Sequence, residues 1–317
     1  MRHFFFKRTK DFVTWLSDRC ADLSRRNMRS ILRHLRLPFF DVLAAVKYVK
    51  ASSVADSFWI RGETEDLCYA DVSFSSDIYY KAALSGDPNL FDLPAVPTPE
   101  ITNIGSFNKG WKLVDGSWVL YKSGKPLELF SELFASKLAL KLGFNAVEYF
   151  TDSGFIASNN FVTPGLCFEP AKSLIGSSID YFVIYDIMEN YGLGHDYLDI
   201  IFMDALVRNS DRHEFNYGFL TDVSGNIVKL APNFDNNMSL FWNGIPDSSK
   251  RKDILVTDFV EIFKNVNYSP PEVSRDLLSD VFEKTVREFP CDIDKAFLID
   301  FCLNAYRSIL SAHLPEH

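Results

Sequence analysis

Asn209-Ser210-Asp211-Arg212-His213-Glu214-Phe215-Asn216 is followed, after a short strand-like run, by Asn233-Phe234-Asp235. These two stretches decide the fold. They set an aspartate, an asparagine five positions on and a second aspartate in polar loops beside apolar runs. Two carboxylates and one carboxamide are hard oxygen donors, the set that Mg²⁺ takes together with phosphate oxygens. With Asp211 facing an acceptor hydroxyl and Asn216 and Asp235 facing the ion, the chemistry is movement of the γ-phosphate of ATP. A plainer reading makes Asp211 and Asn216 Asx turns that close a loop. His213 has no second His or Cys at ligand spacing, so it reads with Arg212 as scaffold for the loop. Asn209 reads as a brace for the backbone.

Protein-kinase catalytic loops use the same offset from Asp to Asn, and a later Asp chelates the metal. Such a site needs cations as well, because its transition state spreads negative charge over phosphate oxygens. Lys122 closes the second strand of a hairpin signal, Trp111-Lys112-Leu113-Val114, Asp115-Gly116, Ser117 to Lys122. Glu132 follows on a helix, where it is expected to pair with Lys122; Glu128 is its rival. Read alone, Lys122 is an exposed strand-end lysine and Glu132 a surface carboxylate. Gly105-Ser106-Phe107-Asn108-Lys109-Gly110 precedes the hairpin and suits a loop that curls over phosphates with backbone N–H groups and Lys109. Asn236 and Asn237, after Asp235, stand where a glycine would ease a left-handed turn, a conformation that Asn tolerates.

Working outward, apolar spacing predicts helix over residues 9–37, ended by Pro38, and again over 40–50. Ser57-Phe58-Trp59-Ile60 reads as a short strand. Pro94, Pro97 and Pro99 mark 92–99 as the best linker candidate. Beyond it come the hairpin, a helix over 128–142 closed by Gly143, and strands over 146–150 and 155–163. From about Ser177 the chain reads as mostly helical, with an apolar helix Tyr197 to Val207 running into the Asp211 loop. Ile227 to Leu230 reads as a strand, and 270–313 as two or three helices. The expected division is 1–95, a basic helical region; 96–176, a small β-rich lobe; and 177–317, a helical lobe. The fold class is α+β, in the bilobal layout of a protein kinase-like fold with an extra, mainly helical N-terminal region.

Apolar residues make up 47% of the 317 and aromatic residues 15%, which excludes a disordered chain. No apolar run approaches the ~18 residues that span a bilayer, so stable membrane insertion is not expected. Met1 to Arg8 holds an apolar stretch too short for a signal-peptide core. The five cysteines form no Cys-x-x-Cys pair, which fits a reducing cytoplasm rather than a disulfide framework. The net charge of −9 conceals an asymmetry: residues 1–50 carry 12 Lys/Arg against 4 Asp/Glu, and the remainder 21 against 38. A basic segment on an acidic body reads first as a solvated amphipathic helix, and otherwise as contact with an anionic partner. Nucleic acid stays open as the minority reading.

These residues resemble the HipA-type kinases, bacterial toxin and effector Ser/Thr kinases. The resemblance covers roughly residues 100–310. It is carried by Gly105 to Lys109, Tyr121-Lys122, Ser131-Glu132, Leu142-Gly143-Phe144, Asn209-Ser210-Asp211-Arg212-His213-x-x-Asn216 and Leu230-Ala231-Pro232-Asn233-Phe234-Asp235. It implies ATP and Mg²⁺ as cofactors, Asp211 as base, Asn216 and Asp235 as metal ligands, and Lys122 as the phosphate-binding lysine. Ser106, Asn108, Lys109 and Glu132 would complete the nucleotide site. It also implies a protein Ser/Thr hydroxyl as acceptor. Some relatives autophosphorylate a serine in the glycine-containing loop, where Ser106 stands. The N-terminal hundred residues depart from the usual N-terminal subdomain of the family, so an antitoxin-like partner there is an expectation from the basic charge alone. Two other readings compete. Phosphoinositide kinases carry a similar Asp-Arg-His-x-x-Asn loop, which points to lipid or small-molecule phosphorylation. A catalytically silent binding module of the same fold is the other.

Overall fold

The computed structural model describes residues 9–176, 180–241 and 254–311, with no side-chain description at 9–10 and 254–258. Arg2, Lys7 and Arg8 of the basic segment, and the apolar stretch Phe4 to Phe6, lie outside the described residues. In chain order the helices and strands are α1 (Thr9–Asp18), α2 (Arg26–His34), α3 (Val42–Tyr48), α4 (Tyr69–Val72), α5 (Tyr80–Ser85), β1 (Lys109–Val114), β2 (Ser117–Lys122), α6 (Pro126–Lys141), β3 (Tyr149–Asp152), β4 (Phe155–Asn159), β5 (Leu166–Pro170), α7 (Lys172–Ile175), α8 (Tyr181–Asn190), α9 (Gly194–Val207), β6 (Gly218–Asp222), β7 (Ile227–Leu230), α10 (Ile254–Asn265), α11 (Arg275–Glu288) and α12 (Lys295–Ser311). The α+β class expected from the sequence is found. No helix among the described residues is long and apolar enough to cross a membrane.

The chain forms two compact units. The first comprises Met1–Gly124, Phe155–Glu169 and Leu220–Val228; the second comprises Lys125–Gly154, Pro170–Phe219 and Lys229–His317.

In the first unit, the single helix predicted over 9–37 is two. Arg19 is the reason. Its buried guanidinium grips Asp56 with two bonds of 2.8 and 2.9 Å and the Ala51 carbonyl with two more. A buried Arg needs this density of acceptors, and the chain leaves helical geometry after Asp18 to supply it. The same lashing holds 51–58 in irregular form, so Ser57 to Ile60 is not a strand. Met28, Ile31 and Leu32 of α2 then pack with Leu35, Ala45, Tyr79, Ala82, Leu90 and Ile101 in one cluster. Leu93 and Val96 join it, and Tyr79 donates to the Pro94 carbonyl at 2.7 Å. The proline-rich 92–99 stretch is thereby part of a core.

β1 and β2 pair antiparallel in the expected hairpin, turning on Asp115 and Gly116, both with positive φ (49° and 79°). β2 continues onto β4. The second sheet runs in the order β5, β6, β7, and most of it belongs to this unit. β5 was not expected: its residues lie past the predicted end of a strand at 163. Before β1, a 3₁₀ turn (Pro99–Thr102) carries Glu100 into full burial. One carboxylate oxygen accepts the Trp111 N–H at 2.8 Å and the other accepts Asn103 Nδ2 at 3.1 Å.

The second unit is built around α6 and α9. Along α9, Leu198, Ile200, Ile201, Phe202, Met203, Ala205, Leu206 and Val207 are all buried, the pattern of a helix packed on every side. Phe202 sits edge-on to Phe259 of α10 and to Tyr306 of α12, and Phe130 of α6 edge-on to Phe282 of α11. α9 stops at Arg208, whose left-handed backbone (φ 55°) is held by its guanidinium lying 3.9 Å over the Phe301 ring.

Burial pushes the Glu100 carboxyl up to about 7, although the Trp111 N–H, Asn103 and the nearby charges of Arg25 and Lys109 all favour its ionised form. A carboxyl whose folded value exceeds its usual 4.5 stabilises the fold fully below about 4.5 and loses that contribution as pH rises through about 7. Glu100→Gln cannot ionise. Its unfolding free energy, read from urea denaturation, is expected to gain on wild type between about pH 5 and about pH 8, by on the order of 3 kcal/mol. An equal offset at both pH values would contradict the assignment.

Candidate active site

Asp204 sits near the end of α9, 3% exposed among apolar neighbours. A lone buried carboxylate demands a partner, and Arg212 meets it in a two-pronged pair: Nε to Oδ2 and Nη2 to Oδ1, both 2.9 Å. The guanidinium then continues to the Asn216 carbonyl at 2.5 Å, the Phe234 carbonyl at 2.7 Å, Asn233 Oδ1 at 2.9 Å and Asn236 Oδ1 at 2.7 Å. Five rigid donors on one plane suit such a hub, which an ammonium cannot replace. Arg212 therefore ties the end of α9, the 211–216 loop and the 233–236 turn to a single point.

Each loop is also braced from its own side. Asn209 accepts the Asp211 N–H at 3.2 Å and donates to Asp204 at 3.1 Å. Asn216 donates its amide to the Asp211 carbonyl at 2.7 Å, and its backbone N–H bonds the His213 carbonyl at 2.8 Å. On the other stretch, Asn233 bridges to Ala146 in a parallel pairing, with bonds of 2.9 Å from the Val147 N–H and to the Asn145 carbonyl. Glu132 of α6 is fully buried and accepts the Asn236 N–H at 3.1 Å, while Ser131 donates to the Ser239 carbonyl at 3.0 Å. Glu128 caps the start of α6 by accepting the Lys125 N–H at 2.8 Å.

These braces present Asp211, Asn216 and Asp235 together. The Asp211 carboxyl is raised above its usual value of 3.8, first by burial; the Asp235 carboxylate pushes it further in that direction, and His213, Arg212 and Asn216 pull it back. That influence puts the Asp235 charge within electrostatic range of Asp211. Asp235 has the left-handed backbone here (φ 61°). The turn expected at Asn236 or Asn237 thus falls one residue earlier, because Asn236 is fixed by Arg212 and Glu132. A divalent ion fits the donor set. Asn216 commits its amide nitrogen to the Asp211 carbonyl, which leaves its amide oxygen as a donor, and a carboxamide with carboxylates is a set that a divalent cation takes.

Lys122, Ser106, Asn108 and Lys109 belong to the first unit. Lys109 and Lys122 are direct cross-strand partners in the β1–β2 register and are only 8% and 4% exposed. Asn108 accepts the Ser123 N–H at 2.9 Å through its carbonyl, and Ser106 is exposed. Gly105 has φ 115°, and a Cβ there would come within 2.6 Å of Lys109 Nζ. A side chain at 105 would displace that ammonium.

Sequence reasoning missed Asp204, Asn233 and Asn236 as partners of Arg212. Asp204 carried a signal, as an acid inside the otherwise apolar run Ile200 to Val207. The asparagines carried none that separates them from turn residues.

No protein-family model matches the sequence, and a search of curated proteins finds no match. Among solved structures the chain is similar to the Helicobacter pylori proinflammatory kinase CtkA, with TM-score 0.48 and 19% identity over 65% of this chain and 90% of that one. It is also similar to HipA of Shewanella oneidensis MR-1, solved with HipB and operator DNA, with TM-score 0.49 and 12% identity over 95% of this chain and 84% of that one.

Arg212→Lys keeps a positive charge but loses the fork. It is expected to lower stability by roughly 3–5 kcal/mol, the cost of breaking a buried charged network, as read from urea unfolding. A loss within about 0.5 kcal/mol, the range of ordinary surface substitutions, would remove Arg212 as the hub.

Proposed function

We propose that this chain is an ATP- and Mg²⁺-dependent kinase that phosphorylates a Ser or Thr hydroxyl of a protein, in the manner of the HipA-type kinases. One observation supports the reading: the Arg212 hub ties the loop that carries Asp211 and Asn216 to the turn that carries Asp235. Asp211 accepts the proton of the acceptor hydroxyl, whose oxygen forms the new bond to the γ-phosphorus. The bond from that phosphorus to the bridging oxygen breaks, and ADP leaves with the electron pair. Asn216 and Asp235 are the residues that would hold Mg²⁺, which when bound neutralises phosphate charge. Lys122, Lys109 and the backbone of 105–109 supply positive charge and N–H donors for the nucleotide phosphates. Asn108 shapes that loop, Ser106 offers a hydroxyl for autophosphorylation, and Glu132 holds the Asp235 turn.

The cysteines are free thiols, which fits the cytoplasm as the site of action. Arg26, Arg29, Arg33 and Arg36 are exposed at helical spacing on and just after α2. They form a basic face suited to an antitoxin-like or other anionic partner.

Incubation with radiolabelled Mg-ATP and a cell lysate tests the reading. Wild type should label one or more proteins and itself, with the label on Ser106 by phosphopeptide mapping. Asp211→Asn should abolish transfer, a loss of at least about 10³-fold, while keeping nucleotide affinity; Asp235→Asn should weaken Mg-ATP binding as well. Full turnover by Asp211→Asn would end the assignment of the base. Label on phosphoinositide vesicles in place of protein would favour the lipid-kinase alternative, and no turnover by wild type the silent one.

The direction of the Asp211 shift sets the pH profile. The base works only when ionised, so kcat is expected to fall on the acid side at a pH above the usual aspartate value of 3.8. His213 holds that value down through its charge. His213→Gln should therefore move the acid limb upward, and a limb that stays put would detach it from Asp211.

A further inference from the structure

Arg25, the residue before α2, differs from its neighbours in sequence. Arg26, Arg29, Arg33 and Arg36 are exposed, whereas Arg25 is 7% exposed. Burial lowers the basicity of its guanidinium, against the nearby negative charges of Glu100 and Asp22. An arginine withdrawn from water needs acceptors in return, and it finds them on the glycine loop. Nη1 donates to the Phe107 carbonyl at 2.8 Å and Nη2 to the Asn103 carbonyl at 3.1 Å. The two acceptors flank Gly105. Glu100 clasps the same loop at its two roots, through Asn103 Nδ2 before it and the Trp111 N–H after it. Asn103 is thus held twice, by its carbonyl to Arg25 and by its amide to Glu100. Between these fixed points lie the left-handed Gly105, the exposed Ser106 and Lys109, whose ammonium rests where a Cβ at 105 would be.

We propose that Arg25 and Glu100 are positioning residues for the phosphate-binding loop 103–109, which makes the basic N-terminal segment a working part of the nucleotide site. The proposal rests on the reading of that loop as the phosphate cradle. Its physical content is preorganisation. A glycine-containing loop loses much conformational entropy on closing over a ligand, and a loop already pinned by a buried guanidinium and a buried carboxylate pays less of that cost at binding. Neither side chain is required to touch the nucleotide. Arg25 turns the carbonyls of 103 and 107 inward to itself, which directs intervening N–H groups away from it, and Glu100 fixes where β1 begins. Ionised Glu100 also lies near the charges of Arg25 and Lys109.

The test uses the full chain and a fluorescent ATP analogue with Mg²⁺, alongside the kinetics of autophosphorylation. Arg25→Met should raise both the analogue's Kd and the KM for ATP roughly tenfold, the worth of one charged hydrogen bond, with kcat within about twofold. Arg25→Lys should fall between, since it restores one donor to the carbonyls. Lys47→Met, exposed on α3, should behave as wild type. Hydrogen exchange without nucleotide supplies a reading independent of activity: amides of 104–109 should exchange faster in Arg25→Met and in Glu100→Gln. An Arg25→Met protein that folds, binds the analogue as tightly as wild type and protects the loop equally would overturn the proposal. Should Arg25→Met not fold, Arg25→Lys and Glu100→Gln carry the same comparison, and unchanged affinity and exchange in both would overturn it. Failure of wild type to bind the analogue at all would instead remove the phosphate-cradle reading beneath it.

Discussion

The buried guanidinium of Arg212 is the constraint on which the second unit's chemistry depends. Three pieces of chain reach it: Asp204 on α9, the carbonyl of Asn216, and the 233–236 turn through Asn233, Phe234 and Asn236. A charge taken out of water is tolerated only where its hydrogen-bonding capacity is met in full. The chain therefore cannot relax one of these pieces without exposing the others to an unsatisfied donor. That rigidity fixes the loop that carries Asp211 against the turn that carries Asp235. Burial is the first cause that lifts the Asp211 carboxyl, and the Asp235 charge adds to it.

Two buried arginines also brace the first unit, although Arg25 leaves its Nε without a hydrogen-bond partner. Arg19 holds 51–58 through Asp56 and Ala51, and Arg25 holds 103–107 through two carbonyls. Both lie in the basic N-terminal segment. The described arginines of this segment, whose net charge is +8 over residues 1–50, thus divide into two populations. Exposed arginines on α2 are solvated, and the inward pair is structural. Composition alone reports only their sum.

Much of the fold was legible where local signals are strong. The hairpin came out at the expected turn because Asp115-Gly116 accepts positive φ at both positions, and α6, α9 and β7 followed from long or well-punctuated apolar runs. The misses share a cause. Residues 9–37 carry helical spacing throughout, yet Arg19 is drawn inward by Asp56, 37 residues away. The proline-rich 92–99 stretch looks like a linker until Tyr79 and the α2 cluster cover it. Asp235 takes the left-handed turn in place of Asn236 because Asn236 is claimed by two long-range bonds. In each case a non-local polar contact overrides a local propensity.

By itself the sequence determined the α+β class, the hairpin that ends on Lys122, and the residue types and offset of Asp211, Asn216 and Asp235, which read as a donor set. Those properties depend on side-chain chemistry and on spacing within a few residues, which the order of amino acids states directly. Only the tertiary structure decided that Asp204, Asn233 and Asn236 converge on Arg212, that Glu132 accepts the Asn236 N–H, and that Arg25 and Glu100 grip the glycine loop. Those contacts join residues between 3 and 104 positions apart. Their partners are chosen by which buried polar groups would otherwise go unsatisfied, a condition that exists only once the apolar core has closed around them.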